Sequence, residues 1–165
     1  MTSAQDTHDK LWELIKDIRY GMLVHRHGDG RLHSHPLTTQ NKSLDEGVLY
    51  FFVPRDGDIA RHVAGDAVVN IAYADPGEDS YVSVAGEASL VDDPGLKQRL
   101  FGAMAKAYFP GGAEDPDLTV LRVRIVDAEY WNVDESRMVQ LFKMAKAAVT
   151  GNPPAMGEHR KVGAM

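Results

Sequence analysis

Between residues 21 and 133, apolar side chains mostly alternate with polar ones or gather in short runs. This spacing is typical of β-strands, whose side chains point to opposite faces in turn. It predicts strands at GMLVHRH, RLHSHPLTT, VLYFFV, AVVNIAYA, SYVSVAGEASLV and LTVLRVRIVDAEYWNV, the last as one long strand or two short ones. Gly86 interrupts the fifth of these runs, which predicts a bulge or a close approach of two backbones there.

Three other segments place apolar residues at helical spacing. Their apolar positions are Leu11, Leu14, Ile15 and Ile18 in the first segment, Leu96, Leu100, Met104 and Ala107 in the second, and Met138, Leu141, Phe142, Ala145 and Val149 in the third. We expect the first helix to begin at Asp6 or Thr7 and to end at Gly21, and the last to end at Gly151. The segment PRDGDIARHV predicts a short loop followed by a helical turn.

Strands outnumber helices, and most of them are joined by short turns. This organisation predicts a mainly β fold, an antiparallel barrel with helices at the N-terminus, between strands and at the C-terminus. With 165 residues, 44% of them hydrophobic, the chain has enough apolar surface for one core. We therefore expect a single domain over residues 1–150 and a C-terminal tail over residues 151–165 that has little to bury.

Charge and cysteine content exclude several functional classes. The formal net charge is -6, so the chain lacks the broad basic surface that a nucleic-acid backbone requires. Cysteine is absent, which excludes disulfides, thiolate metal sites and cysteine nucleophiles. The start of the chain does not resemble a signal peptide, and no apolar run approaches the roughly 18 residues of a spanning helix. We expect a cytoplasmic protein with no membrane partner.

Four histidines give the predicted N-terminal hairpin the most distinctive local pattern in the chain. His25 and His27 lie two residues apart on one strand, and His33 and His35 lie two apart on the next. If Gly28, Asp29 and Gly30 form a three-residue turn, His25 opposes His33 and all four imidazoles share one face. Imidazole suits zinc, copper and iron, so a metal cup is one hypothesis. A polar surface or an anion contact is the other.

A basic turn follows the third predicted strand. Arg55, Arg61 and His62, with Gly57 between them, could place cations and backbone N–H groups around a phosphate, or could form an ordinary solvated turn. The chain has no P-loop, no G-x-G-x-x-G and no G-x-S-x-G motif. Trp131 ends an alternating strand, where an indole either fills the core or stacks on a planar ligand.

Several longer segments resemble one known family, the general stress proteins of the pyridoxamine 5'-phosphate oxidase-like, FMN-binding split-barrel group. The resemblance covers nearly the whole chain and is most specific at YFPGGAEDPDLTVLRVRIVDAEYWN and VQLFKMAKAAVTGNPPAMGEHRK. HSHPLTTQ and LYFFVPRDGDIARHV are similar to the strand and the basic turn that hold the cofactor in that family. The resemblance implies an antiparallel split barrel and a homodimer with FMN, or FAD, in a groove between the subunits.

The resemblance also implies which residues contact the flavin. The matching positions are His35, Pro36, Leu37 and Thr38 along the flavin, Phe52 and Val53 on the neighbouring strand, Arg61 and His62 at the phosphate, and Trp131 reaching the cofactor's edge from the partner subunit. Gln40 is a weaker match. The family usually has arginine at the position of His35 and often lysine at that of His62. Histidine carries only a fractional charge near neutral pH, so we expect a modest, pH-dependent FMN affinity.

For activity, the resemblance implies a flavin-dependent oxidoreductase in stress response. No side chain is typical of a general acid or base, so we assign no catalytic residue, and the family match assigns no metal ligand. A flavin carrier or sensor without turnover, and a small metalloprotein that uses the four hairpin histidines, remain the alternatives.

Overall fold

The computed structural model describes residues 3–44, 46–133, 137–153 and 157–163, with residues 137–140 described in backbone only. Antiparallel strands dominate these ranges and confirm the prediction of a mainly β fold. The strands are β1 (Tyr20–Arg26), β2 (Leu32–Thr38), β3 (Val48–Pro54), β4 (Val68–Asp75), β5 (Ser80–Val91), β6 (Leu118–Asn132) and β7 (Glu158–Val162). They pair in the order β2-β1-β4-β5-β6-β3, and β7 pairs with β6 outside this path.

The two ends of this path, β2 and β3, come together where the sheet curls round. The amide of Gln40, just beyond β2, donates to the carbonyl of Tyr50 on β3 at 2.9 Å, and the amide of Tyr50 donates to Oδ1 of Asn41 at 2.7 Å. These bonds join only one end of the two strands. The sheet is therefore a barrel that is open between β2 and β3 over the rest of their length.

The helices are α1 (Ala4–Ile18), α2 (Asp58–Val63), α3 (Pro94–Leu100), α4 (Ala103–Tyr108) and α5 (Arg137–Thr150). The predicted start of α1 was wrong, because Ser3 caps the helix and the Ser3 amide donates to the Asp6 carboxylate at 3.0 Å. The predicted end at Gly21 was also wrong. The helix ends at Ile18, and Gly21 lies on β1, where a Cβ atom would come within 2.7 Å of Ile71 Cγ2.

The second predicted helix is two helices, which corrects the expectation of one continuous segment. Phe101 and Gly102 separate α3 from α4 in extended conformation. Phe101 turns its ring towards Phe52, with the ring centroids 5.9 Å apart. This break allows α4 to lie along the edge of β3 instead of continuing the direction of α3.

Gly86 confirms both expectations that its position in β5 raised. The pairing register between β5 and β6 shifts between Ala85 and Gly86, as in a β-bulge. A Cβ atom at Gly86 would lie 2.5 Å from Val123 Cγ1 and 2.8 Å from the carbonyl oxygen of Arg124. The backbones of β5 and β6 approach too closely here for any side chain.

The barrel interior is filled by one large apolar cluster. Leu11, Leu14 and Ile15 of α1 pack into it from one side, and α2 adds Ile59 and Val63 from the other. A second, smaller cluster lies outside the barrel and joins β3 and β6 to α3 and α4. Its buried members are Phe52, Leu96, Ala105, Phe109, Leu118 and Val120.

Part of the C-terminal tail forms a strand, which differs from the expectation that it has little to bury. Residues Glu158 to Val162 pair with Asn132 to Ala128 of β6, and Val162 is 3% exposed within the main core. Residues 154–156 and 164–165 of the predicted tail lie outside the described residues.

The last helix has the predicted span and ends at Gly151, which adopts a φ of 74°. Its apolar positions are not covered by the rest of the chain: Leu141 is 65% exposed and Phe142 is 72% exposed. The side chain of Met138, which was predicted to lie on the apolar face of this helix, is outside the described part. None of the helices within the described ranges is both long and apolar enough to cross a membrane.

Candidate functional site: a cleft at the open edge of the barrel and a histidine cluster beneath it

A cleft of ≈ 380 Å³ lies where β2 and β3 separate. It contains four of the residues that the sequence singled out, Pro36, Leu37 and Thr38 of β2 and Phe52 of β3, together with the weaker match Gln40. Its other lining residues are Tyr20, Pro54, Met104, Ala105, Tyr108, Phe109 and Asp117. The volume is within the range of small-molecule sites, and the lining is mostly apolar and aromatic.

The floor of the cleft is held rigidly by the smaller core cluster. Phe52 packs against Phe101 and against Phe109, whose ring centroid is 6.4 Å away in an edge-on arrangement. Val53, the next residue, faces the opposite side of the sheet and is buried in the main core. Only the backbone of Val53 is therefore available to a ligand in the cleft.

The predicted register of the histidine hairpin is correct. His25 pairs with His33, and the amide of His27 donates to the carbonyl of Arg31 at 2.9 Å across a turn in which Gly30 has a φ of 86°. His25 and His27 therefore share a face with His33 and His35, as this turn requires. That face is covered by α2.

One carboxylate from α2 lies at the centre of these imidazoles. Oδ2 of Asp58 is 2.8 Å from Nε2 of His27, 3.1 Å from Nε2 of His35 and 3.5 Å from Nε2 of His25. One turn further along α2, Nδ1 of His62 is 3.2 Å from Oδ1 of Asp58. We call His25, His27, His35, Asp58 and His62 the histidine–aspartate cluster.

Ring stacking fixes the orientation of the central imidazoles. His27 lies between two parallel rings, with His33 at 3.6 Å and His62 at 3.8 Å between centroids. His62 also donates Nδ1–H to the main-chain carbonyl of Asp58 at 2.8 Å, because a carbonyl oxygen can only accept. The Nε2 atom of His62 is thus an acceptor in its neutral form.

The surroundings of Asp58 and of His25 each lower the pKa of the group. Partial burial opposes ionisation of Asp58, but hydrogen bonds from His27 and His35 outweigh it and lower the pKa of this carboxyl to about 2. His25 is 1% exposed, and its burial, reinforced by the neighbouring His35, lowers its pKa. These contacts favour an ionised Asp58 carboxylate and a neutral His25 imidazole near neutral pH.

The remaining predicted residues lie further from the cleft. Arg61 extends from α2 with 65% of its side chain exposed, and its Nη2 atom is 3.9 Å from Oδ1 of Asp58. Trp131 is 39% exposed at the end of β6 and stacks on His159 of β7, with ring centroids 4.9 Å apart. Phe52 pairs with Val120, so roughly 35 Å of strand separates Trp131 from the cleft floor. Within one chain these residues do not meet.

Sequence reasoning missed Asp58 and most of the α4 side of the cleft. Asp58 is one of many acidic residues in turns, and only the folding of α2 over the hairpin distinguishes it. Tyr108 is 76% exposed and Met104 is 42% exposed beside the cleft. Large apolar side chains on the surface of a chain often mark a ligand or partner site, but the sequence does not reveal their exposure.

A comparison with known families identifies the family of this chain. A family model described as "Pyridoxamine 5'-phosphate oxidase like" matches residues 6–155. The chain belongs to this family. The curated protein bli-3 of Neurospora crassa is 29% identical over 132 residues, which are 75% of this chain and 62% of bli-3. The chain thus spans less than two thirds of that relative's length.

Solved structures of the family share the architecture. A general stress protein 26 from Jannaschia sp. CCS1 superposes with a TM-score of 0.78 and 29% identity, covering 96% of this chain and 99% of its own. A general stress FMN/FAD binding protein from Xanthomonas citri superposes with a TM-score of 0.70 and 28% identity, covering 80% and 92%. The curled antiparallel sheet with flanking helices is therefore the split barrel of the FMN-binding proteins.

Proposed function

We propose that this protein binds a flavin, FMN or FAD, in the cleft between β2 and β3, with a second copy of the chain completing the site. The observation that carries the proposal is the meeting of Pro36, Leu37, Thr38 and Phe52 in one cleft. The family resemblance implies flavin contact for these same four residues. The description of the Xanthomonas citri relative as an FMN/FAD binding protein supports the same ligand class.

The side chains in the cleft suit a planar, largely apolar ring system. Phe52, Tyr20 and Tyr108 offer aromatic surface, and the backbone of β2 runs along one wall. Thr38 and Gln40 add side-chain hydrogen-bonding groups at that wall. Asp117, at the cleft's edge, is the only charged side chain among its lining residues in the described part of the chain.

The residues matched to the phosphate of the flavin are less available for contact than those matched to its ring system. His35 and His62, which stand where the family usually has arginine and lysine, are both engaged by Asp58. Arg61 is the exposed cation on the same helix and would carry the phosphate contact from this chain. The negative charge of Asp58 opposes a phosphate nearby, so we expect the ring system to supply most of the affinity.

A homodimer accounts for the position of Trp131. This indole is far from the cleft of its own chain, yet its position matches the aromatic residue that completes the site from the partner subunit in related proteins. In a two-fold dimer each cleft would receive the Trp131 of the other chain. The exposed apolar side chains Leu141 and Phe142 of α5 support an interface, because such surface is usually covered in an assembly.

As a catalyst, the protein would act as a flavin-dependent oxidoreductase in stress response, in the cytoplasm. The bound flavin would supply the electron-transfer chemistry, and the chain would supply position and exclusion of water. The absence of a histidine or lysine among the described residues lining the cleft fits chemistry that is carried by the cofactor. It equally favours a second candidate, a flavin carrier or sensor without turnover.

The test is a fluorescence titration of FMN with the wild-type protein and two tryptophan variants. Thr38→Trp fills the cleft from a half-buried position, and Val68→Trp adds the same bulk at an exposed site on β4 outside the cleft. We expect Thr38→Trp to weaken FMN binding at least tenfold and Val68→Trp to leave it unchanged. Equal binding by both variants would contradict the assigned site. Steady-state oxidation of NADPH by the FMN complex then separates enzyme from carrier, since a carrier shows none.

A further inference from the structure

The histidine–aspartate cluster joins two elements that are distant in sequence. His25, His27 and His35 come from the β1–β2 hairpin, and Asp58 and His62 come from α2. The residues Asp58 and His62 are four apart, so they lie on the same face of the short helix, the face that covers the hairpin. Folding thus concentrates one carboxylate and four imidazoles around a single point.

The potential ligand atoms of this cluster lie close to the spacing that a bound metal ion requires. One ligand atom from each of His25, His27, Asp58 and His62 lies within 4.8 Å of all the others. Ligand atoms of a tetrahedral zinc ion, bound at about 2.0–2.2 Å, lie roughly 3.4 Å apart. Shifts of about an ångström would bring the four atoms to that spacing, together with rotation of the His27 and His62 rings out of their parallel stack, because an ion lies in the plane of each imidazole that binds it.

His25 supplies an independent sign that a ligand belongs here. It is 1% exposed, and neither of its ring nitrogens has a hydrogen-bond partner among the described residues. Buried polar groups are almost always satisfied, and an unsatisfied one is costly. Nε2 of His25 lies 3.5 Å from the Asp58 carboxylate, which is too far for a good hydrogen bond but suitable for sharing a metal ion.

The surrounding contacts match the outer shell of a metal site. His62 donates Nδ1–H to the Asp58 carbonyl at 2.8 Å, as metal-bound histidines commonly do through their second nitrogen. His33, which is outside the ligand group, stacks on His27 at 3.6 Å and holds that ring in place. The metal cup hypothesised from the four hairpin histidines shares His25 and His27 with this ligand group, which adds Asp58 and His62 and leaves out His33 and His35.

We propose that His25, His27, Asp58 and His62 bind one divalent transition-metal ion of the zinc type, with His35 as an adjacent hydrogen-bonding or fifth ligand. Neutral imidazoles and one carboxylate favour Zn²⁺ and its neighbours over Mg²⁺ or Ca²⁺, which prefer all-oxygen sites. Three imidazoles and one carboxylate leave a net charge of +1 with the ion, so its charge is only partly compensated. A phosphate ligand at the cluster is disfavoured, because Asp58 is already an anion there.

The proposal does not depend on flavin binding, and zinc uptake is measured without flavin. Tag-free protein is treated with EDTA, dialysed against Zn²⁺ and analysed for bound metal by mass spectrometry, with affinities from calorimetry. The test variants are His27→Gln and Asp58→Asn. The controls are His8→Gln and His159→Gln, which alter the two histidines outside the hairpin and α2.

We expect one Zn²⁺ per chain in the wild type and in both controls, and at least about tenfold weaker binding in His27→Gln and Asp58→Asn. Co²⁺ in place of Zn²⁺ is expected to give visible absorption bands that both test variants lose. Circular dichroism establishes that each variant is folded. If only one of the two test variants folds, that variant is sufficient to test the proposal. Wild-type protein that takes up no stoichiometric Zn²⁺, or a folded test variant with wild-type affinity, would overturn the proposal.

Discussion

Nε2 of His25 lies 3.5 Å from Oδ2 of Asp58, inside the barrel and without a hydrogen bond to any described residue. The Nε2 atoms of His27 and His35 lie closer to the same carboxylate oxygen, at 2.8 Å and 3.1 Å. Oδ2 of Asp58 therefore has two close imidazole partners, and the more deeply buried His25 has no hydrogen bond to it. An ion at this point would change His25 from an unsatisfied group into a ligand.

This relationship predicts an unusual response to His25→Leu. In metal-free protein, replacing an unsatisfied buried imidazole by an apolar side chain should leave the free energy of unfolding within about 1 kcal/mol of wild type, or raise it. With zinc at 100 times its dissociation constant, the wild type should gain about 2.7 kcal/mol, and His25→Leu should gain far less. Urea unfolding with zinc and with EDTA measures both quantities.

The control for this prediction is Thr39→Val. Its hydroxyl is buried and lies 2.7 Å from the hydroxyl of Tyr73, so its removal leaves a partner unsatisfied. We expect it to cost about 1–3 kcal/mol with or without zinc. If His25→Leu cost as much as Thr39→Val in the presence of EDTA, His25 would be a stabilising part of the metal-free core and the interpretation above would be wrong.

Zinc should also change which flavins bind well. A divalent ion bound to Asp58 offsets the negative charge of that carboxylate beside Arg61, so attraction for a phosphate increases. We expect zinc to tighten FMN binding several-fold and to leave riboflavin, which has no phosphate, unaffected. Flavin titrations with zinc and with EDTA make this comparison. Equal zinc effects on both ligands would place the phosphate away from the cluster.

Local patterns in the sequence were sufficient to predict much of this arrangement. The three-residue turn at Gly28–Gly30 fixes which histidines face each other, because strand pairing outward from a turn has a set register. The bulge at Gly86 was predictable for a similar reason, since a glycine inside a strand usually marks a bulge or a close backbone approach. The six longest strands follow from alternation and from short apolar runs such as VLYFFV.

Non-local contacts account for what the sequence could not predict. Asp58 joins the histidines only because β3 carries α2 back over the hairpin, and nothing near Asp58 in the sequence signals this. β7 is mostly polar and has one deeply buried residue, Val162, so its pairing with β6 overrides a weak local pattern. The break between α3 and α4 is likewise a packing effect, since Phe101 turns towards Phe52.

A shared site predicts that two defective variants can complement each other. Thr38→Trp blocks the cleft of its own chain, and Trp131→Ala removes the residue offered to the partner. In a two-fold dimer, a mixed dimer keeps one intact site, made of the cleft of one chain and the Trp131 of the other. Random mixing of equal amounts should therefore restore about a quarter of the wild-type flavin sites.

The two variants are mixed by co-refolding, and bound flavin is counted after desalting. Each variant alone, refolded in the same way, provides the baseline. Recovery near the predicted fraction supports a site built from two chains. No recovery above the two baselines from a mixture that forms mixed dimers, as seen by mass, would contradict a site that combines the cleft of one chain with Trp131 of the other.

The close approach of β5 and β6 predicts a sharp cost for Gly86→Ala. The added methyl group would meet Val123 Cγ1 and the Arg124 carbonyl, and the backbone cannot yield as a flexible side chain can. We expect a loss of about 1–3 kcal/mol in the free energy of unfolding. Gly28→Ala, which has no atom within 4 Å of the added carbon, should change it by less than about 0.5 kcal/mol. A similar cost for both would show that the bulge tolerates a side chain.

The most direct test of flavin binding in the cleft is the visible absorption of purified, tag-free protein after saturation with FMN and desalting. The account predicts a retained flavin band between about 350 and 500 nm at one flavin per chain, strongly reduced in Thr38→Trp and preserved in Val68→Trp. Colourless wild-type protein would contradict it, as would a retained band that Thr38→Trp leaves undiminished.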